Sequence, residues 1–385
     1  MIKNLSIVHA SKLIIPAFRN ILFFVLILLL EAAPGHSLER PDKVFKIFQF
    51  PANMIPRIDG DPLDWSIVPE DYAVSLDELR DTVNANPADK SNFDVTVKVG
   101  WVKGMNKLYV LYEAYDDYWQ FEEPGLECDV FELVVDADLS GGPLIPQLRK
   151  DMKMEGWSAY MFHGVHAQNY HIFTPHEGKE WAMVWGCQPW IAELPWANSE
   201  YSYNFKHGES GRLSLEFWIT PFDYAPYEGP ERAVISKLVE DENIGLSWTI
   251  LERDKHDDPK KSFAFWSLSH TTTMYGNASE LVNFKLMPLE KQFRKDIEAD
   301  WSFKTIDNDR GIVAFHDQSY GNITSWNWDF GDGGSSTERN PVHHYTGPAV
   351  GNPAGNYQYQ YVVVLTVDGP DGSARMSRVW NVAVK

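Results

Sequence analysis

The sequence predicts an all-β chain folded as two separate β-sandwiches. Short apolar stretches alternate at period two along most of its length, and clusters of turn residues separate them at short intervals. A charged stretch without Gly or Pro, Glu290–Glu298, then divides a longer first part from a short last one. A length of 385 residues exceeds one typical domain of ~150. With 44% hydrophobic and 23% charged residues, the chain has the composition of one that buries a core. Its formal net charge of −20 argues against a nucleic-acid partner, because phosphate binding needs clustered Lys and Arg. The 15 Trp, 17 Tyr and 21 Phe are the informative excess. Sandwich cores favour such residues, and flat rings also stack on the C–H faces of sugars. Most belong to the core on this reading, which leaves several for a site.

Taken in order, the chain begins with Lys3, Lys12 and Arg19, then the apolar run Ile21–Leu30, then the small-residue stretch Glu31–Ser37. That is the order of a secretory signal peptide, expected to occupy residues 1–37 and to leave a secreted chain starting near Leu38. The apolar run is about ten residues against the ~20 of a spanning helix, so the expected product is not an integral membrane protein. Its location would be extracellular, periplasmic or on the cell surface, where surface partners are open to it. Cys128 and Cys187 either pair in that oxidising setting or stay as two buried thiols.

Residues 38–289 read as the first sandwich. Val95–Trp101 alternates, Val102–Asn106 turns, and Lys107–Tyr115 returns as the second arm of a hairpin. Val130–Val135 is a strand ending in the acidic turn Asp136–Gly142. Leu213–Ile219, Ile244–Leu251 and Val282–Leu286 complete the set. Between them the stretch from Gly156 to Trp196 crowds His163, His166, His171 and His176 beside Trp181, Trp185 and Trp190. Trp181 and Trp185 share a face whether that segment is helix or strand. Zinc would need three or four ligands, and no HExxH pattern is present. No cofactor is required by the sequence. Calcium at Asp136 and Asp138 is the metal reading the acidic turn allows, beside a plain Asx-turn. Glu290–Glu298 reads as a short helix or stiff linker, and residues 299–385 alternate again up to Tyr361–Val367 and Val379–Val384.

Within that last segment, Ser325-Trp-Asn-Trp-Asp-Phe-Gly-Asp-Gly333 resembles the signature of polycystic-kidney-disease (PKD) domains, which are immunoglobulin-like sandwiches. Val313–Ser319, Asn340–Tyr345 and Gly355–Tyr357 match around it, while Thr346–Ala354 is longer than the pattern. Trp328 and Phe330 should point to one face, with Asp329 and Asp332 holding turn amides. The resemblance implies a spacer or adhesion module.

The first part resembles carbohydrate-binding modules of family nine. Arg57-Ile-Asp-Gly-Asp-Pro-Leu-Asp-Trp65 opens it, Lys98–Tyr112 is similar to the family's central hairpin, and Asp129–Asp136 to its strand with an acidic turn. Leu215–Phe222 is similar to its Ile-x-Pro-Phe strand end. The resemblance implies a polysaccharide or oligosaccharide ligand held by Glu132, His163, Thr249 and Tyr275. The family's second ring platform falls on Leu126, and Trp119 is the neighbouring ring that could replace it. Trp181 and Trp185 are expected to wall the cleft. Two alternatives stay open. One is a component of polysaccharide-degrading machinery acting on glycosidic bonds. The other is a redox domain holding non-covalent haem through Met152, Met154, Met161 or Met183 and a histidine, since no CxxCH exists.

Overall fold

The computed structural model describes residues 38–142, 161–255, 262–294, 296–346 and 358–383, so the signal-peptide expectation lies outside the described residues. The chain parts into two compact units, Met1–Leu289 and Glu290–Lys385. Among the described residues no helix is long and apolar enough to cross a membrane.

In the first unit, one sheet runs in the order β8 (Ala182–Val184), β7 (Gln168–Phe173), β6 (Val130–Asp136), β13 (Asn243–Glu252), β15 (Val282–Leu286) and β1 (Glu39–Gln49). β14 (Ala264–Ser267) also pairs with β13, and β3 (Arg80–Asp81) pairs with β14. The other sheet holds β4 (Phe93–Trp101), β5 (Leu108–Asp116), β10 (Gly211–Ile219) and β9 (Ala197–Tyr203), with β2 (Val74–Ser75) on β4. β1 ties the two together: it runs parallel to β15 through Ile47, and then Phe48 and Gln49 pair parallel with β4. A short ribbon joins β11 (Phe222–Tyr224) to β12 (Val234–Ile235).

Period-two alternation explains the interior. Phe131, Leu133 and Val135 point inward from β6, Leu246, Trp248 and Ile250 from β13, and Val95, Val97 and Val99 from β4. Val110, Tyr112, Leu213, Leu215 and Phe217 meet them in the same core. Each such side chain contributes about 1.5–3 kcal/mol of burial. β6 and β7 are buried on both faces, however, so something other than the main core covers their second face. Cys128 and Cys187 are both free thiols, the first buried and the second half-buried, so they are neither paired nor a buried couple. Cys128 lies buried, with its Sγ 3.0 Å from the Gly125 carbonyl oxygen.

The second unit pairs β16 (Trp301–Asp307), β17 (Ile312–Asp317) and β20 (Val342–His344) in one sheet. The other sheet orders β19 (Ser335–Ser336), β18 (Ser325–Asp329), β21 (Gln358–Gly369) and β22 (Gly372–Ala383). Trp328 and Phe330, two residues apart, both enter its core beside Trp301, Phe315, Tyr345 and Tyr361. Asp329 accepts from the Gly331 amide at 2.9 Å and Asp332 from the Gly334 amide at 2.8 Å, the turn roles their spacing suggests. Gly331 is required where it stands. Its φ is +81°, and a Cβ there would sit 2.7 Å from the Val362 carbonyl oxygen. Within the stretch expected as the linker, Lys291–Phe293 makes a 3-10 turn and Ile297 belongs to the second core. Apolar Ile297 inside a charged stretch is what draws the end of the connector into that unit.

Candidate functional site

The second face of β6 is a polar row between two apolar patches. On one side Val134 packs with Ala167, Met274, Ala278 and Leu281. On the other, Val130 packs with Cys128, Phe173, Leu251 and Phe265. Strand register sets what lies between them. Ser267 stands opposite Thr249, Thr249 opposite Glu132, Glu132 opposite His171, and His171 opposite Met183. Directly paired residues on neighbouring strands share a face, so five strands carry one row. In the next row Ser247 stands opposite Val134, and Val134 opposite Asn169.

Glu132 is 2% exposed. Its Oε1 accepts from Asn169 Nδ2 at 3.0 Å and lies 3.1 Å from His171 Nε2. Asn169 Nδ2 also reaches the Tyr275 carbonyl oxygen at 3.3 Å, which draws the Met274–Gly276 turn onto this face. The Tyr275 ring stacks on Trp185 at 4.8 Å and 16°. Trp185 in turn lies 5.1 Å from the His163 ring and 5.7 Å from that of His171. Burial, with His171 nearby, pushes the His163 imidazole down to about 4, so it is neutral near pH 7 and offers one donor and one acceptor. The loop holding it is tight: Gln188 donates to the His163 carbonyl at 3.1 Å, and a Cβ on Gly186 would meet Gln188 Oε1 at 2.4 Å.

This face also carries unmet hydrogen-bonding capacity. Among the described residues, both ring nitrogens of His163, His171 Nδ1, Asn169 Oδ1, Thr249 Oγ1 and Ser247 Oγ are buried without a hydrogen-bond partner. Each such group costs about 1–3 kcal/mol in the folded chain, and native proteins carry few of them. Here several converge on one carboxylate and two rings. From Ser267 a chain of hydroxyls leads away through Ser269 at 3.1 Å to Thr271 at 2.9 Å.

The structure thus brings together Glu132, His163, Thr249, Tyr275 and Trp185. Two expected residues lie elsewhere. Trp119 is fully buried, stacked on Phe205 at 4.9 Å with its indole N–H bonded to the Gly211 carbonyl, so neither ring face is open to a ligand. Trp181 packs on the main core near Phe217 and donates to the Ala192 carbonyl. Both are structural because the sandwich core absorbs most aromatic side chains. Leu126 packs at the edge of the Val130 patch. Asp136 and Asp138 spend their oxygens on their own turn: Ser140 and Gly141 amides donate to them at 2.8–3.2 Å. Burial, and Asp138 beside it, push Asp136 up to about 7. Asn169 and His171 were missing from the expected set. Their signal was present: in Gln168–Phe173 they alternate with Tyr170 and Ile172, as the outward positions of a half-polar strand do. A shallow cleft lined by Asp61, Leu63, Trp65, Lys98 and Glu113 lies on the other sheet. Its Lys98 is already paired with Glu70 at 3.0 Å.

Residues 308–384 match the family model described as PKD domain, and the C-terminal unit is a PKD domain. No curated protein matches the chain. Among solved structures, it is similar to a carbohydrate binding module family 9 from Caldicellulosiruptor kristjanssonii, solved in complex with cellotriose. Identity there is 14% over 65% of this chain and 96% of that one, with a TM-score of 0.40. It is also similar to the PKD1 domain of Vibrio anguillarum Epp, at 29% identity over 23% of this chain and 95% of that one, with a TM-score of 0.19.

Proposed function

We propose that the first unit binds a carbohydrate over the Glu132 row and that the PKD domain serves as a spacer or adhesion module in an exported protein. The observation that carries this is the set of buried, unpartnered donors and acceptors around Glu132, with the Trp185–Tyr275 pair beside them. A sugar hydroxyl donates one hydrogen bond and accepts others, so a polyhydroxylated ring answers mixed groups such as Thr249, Ser247, His163 and Asn169 together. A carboxylate accepts two such hydroxyls with charge-assisted strength, while an aromatic face covers the apolar side of the sugar. Glycosidic hydrolysis takes two carboxyl groups flanking the bond, whereas the row offers Glu132, already bonded to Asn169.

Haem is the second reading, favoured by Met183 standing opposite His171. The polar row speaks against it, since Ser247, Thr249 and Glu132 would face the macrocycle. A visible absorption spectrum of the purified chain separates the two, and the carbohydrate reading expects no Soret band.

A glycan array probed with the chain from Leu38 onward is the direct test, with binding to a restricted group of oligosaccharides as the expected result. Trp185→Ala and Tyr275→Ala should each weaken the best ligand about 5- to 100-fold, equivalent to ~1–3 kcal/mol, in isothermal titration. Melting temperatures should stay nearly level. A parallel fall in stability would mark the rings as packing, and an empty array would refute the reading.

A further inference from the structure

On the opposite, inward face of β13, and apart from the Glu132 row, a second group of acids converges. Asp116 ends β5, Glu252 ends β13, and Asp254 follows two residues later. One oxygen from each lies within 4.8 Å of the others. Asp116 and Glu252 are 0% and 3% exposed. Asp116 Oδ1 accepts from the Tyr118 amide at 3.0 Å, but among the described residues neither its Oδ2 nor Glu252 Oε1 has a partner. Asn92 donates to Asp254 at 3.0 Å and to Asp117 at 3.2 Å, fixing the rim. The adjacent cation, Arg253, pairs with Glu127 at 3.0 Å instead.

A separate residue points into the same space. Tyr112, four residues before Asp116 on the same face of β5, is fully buried, and its hydroxyl has no partner among the described residues. Asp129, Asp116 and Glu252 are its charged neighbours. Asp129 is spoken for, since both its oxygens accept backbone amides, from Gln120 and Arg253.

We infer that Asp116, Glu252 and Asp254 form a calcium site that ties the end of β5 to the end of β13. Buried carboxylates this close cannot all ionise alone, so they hold either protons or a hard cation with oxygen ligands. Calcium is favoured over magnesium because it accepts irregular oxygen sets, with water completing the shell.

The test is thermal unfolding of the full chain after chelator treatment, with and without added calcium chloride. Calcium should raise the melting temperature by about 5–10 °C at saturation. Asp116→Asn should remove the response. Should that variant fold poorly, Glu252→Gln keeps the side chain's shape while removing its charge, and should lose the calcium rise. Asp138→Asn should keep the rise. An unchanged melting temperature for the parent chain would overturn the inference, as would a rise that survives in Glu252→Gln.

Discussion

Replacing Trp328 by alanine is expected to unfold the PKD domain near body temperature while the first unit keeps its own transition. Trp328 is fully buried, with its indole N–H donating to the Glu338 carbonyl at 3.0 Å. Its ring meets Trp301 at 5.7 Å and Phe315 at 5.4 Å, in the middle of a core built from few large side chains. Removing such a ring costs ~3–5 kcal/mol, and the lost hydrogen bond leaves the Glu338 carbonyl unpaired. Small domains have a total stability of about 5–15 kcal/mol, so the loss takes most of the margin. Differential scanning calorimetry of the full chain should show one transition moved to much lower temperature and one unmoved. If both moved together, the two units would fold as one.

The second large effect is on binding. Glu132→Gln should lower oligosaccharide affinity about 10- to 100-fold, the range for losing charge-assisted hydrogen bonds worth ~1.5–3 kcal/mol. The amide keeps the shape of the side chain and retains an acceptor for Asn169, whose 3.0 Å bond anchors the row. Melting temperature should therefore change little. Glu132→Ala is the poorer probe, because it would also strand Asn169 and His171. Should titration calorimetry give equal affinities for Glu132→Gln and the parent, the ligand would have to bind away from this row.

The strands were legible because each writes its own alternation. Val95–Trp101, Val130–Val135 and Ile244–Leu251 all fall within observed strands, since period two is a local property. The site was less so. Its members stand at positions 267, 249, 132, 171 and 183, assembled by the strand order β14–β13–β6–β7–β8. No local pattern encodes which distant strands become neighbours. Resemblance supplied Glu132, Thr249, His163 and Tyr275, but His171 and Asn169 lie in a stretch dense in rings and imidazoles, where composition singles out neither. Trp119 shows the converse problem. Expected as the ring that replaces the platform at Leu126, it is held inside by Phe205 and the Gly211 carbonyl. Nor could spacing reveal the acid cluster, whose members come from two sheets joined across the core.

On the proposed reading, polar groups around Glu132 stay buried without partners among the described residues because a ligand answers them. Thr249→Val tests this most directly, since valine matches threonine in shape and lacks the orphan hydroxyl. Measured by denaturant unfolding and titration on the same preparation, the variant should gain about 1–2 kcal/mol of stability without ligand and bind oligosaccharide at least several-fold more weakly. A variant that is less stable than the parent, with affinity unchanged, would contradict the account.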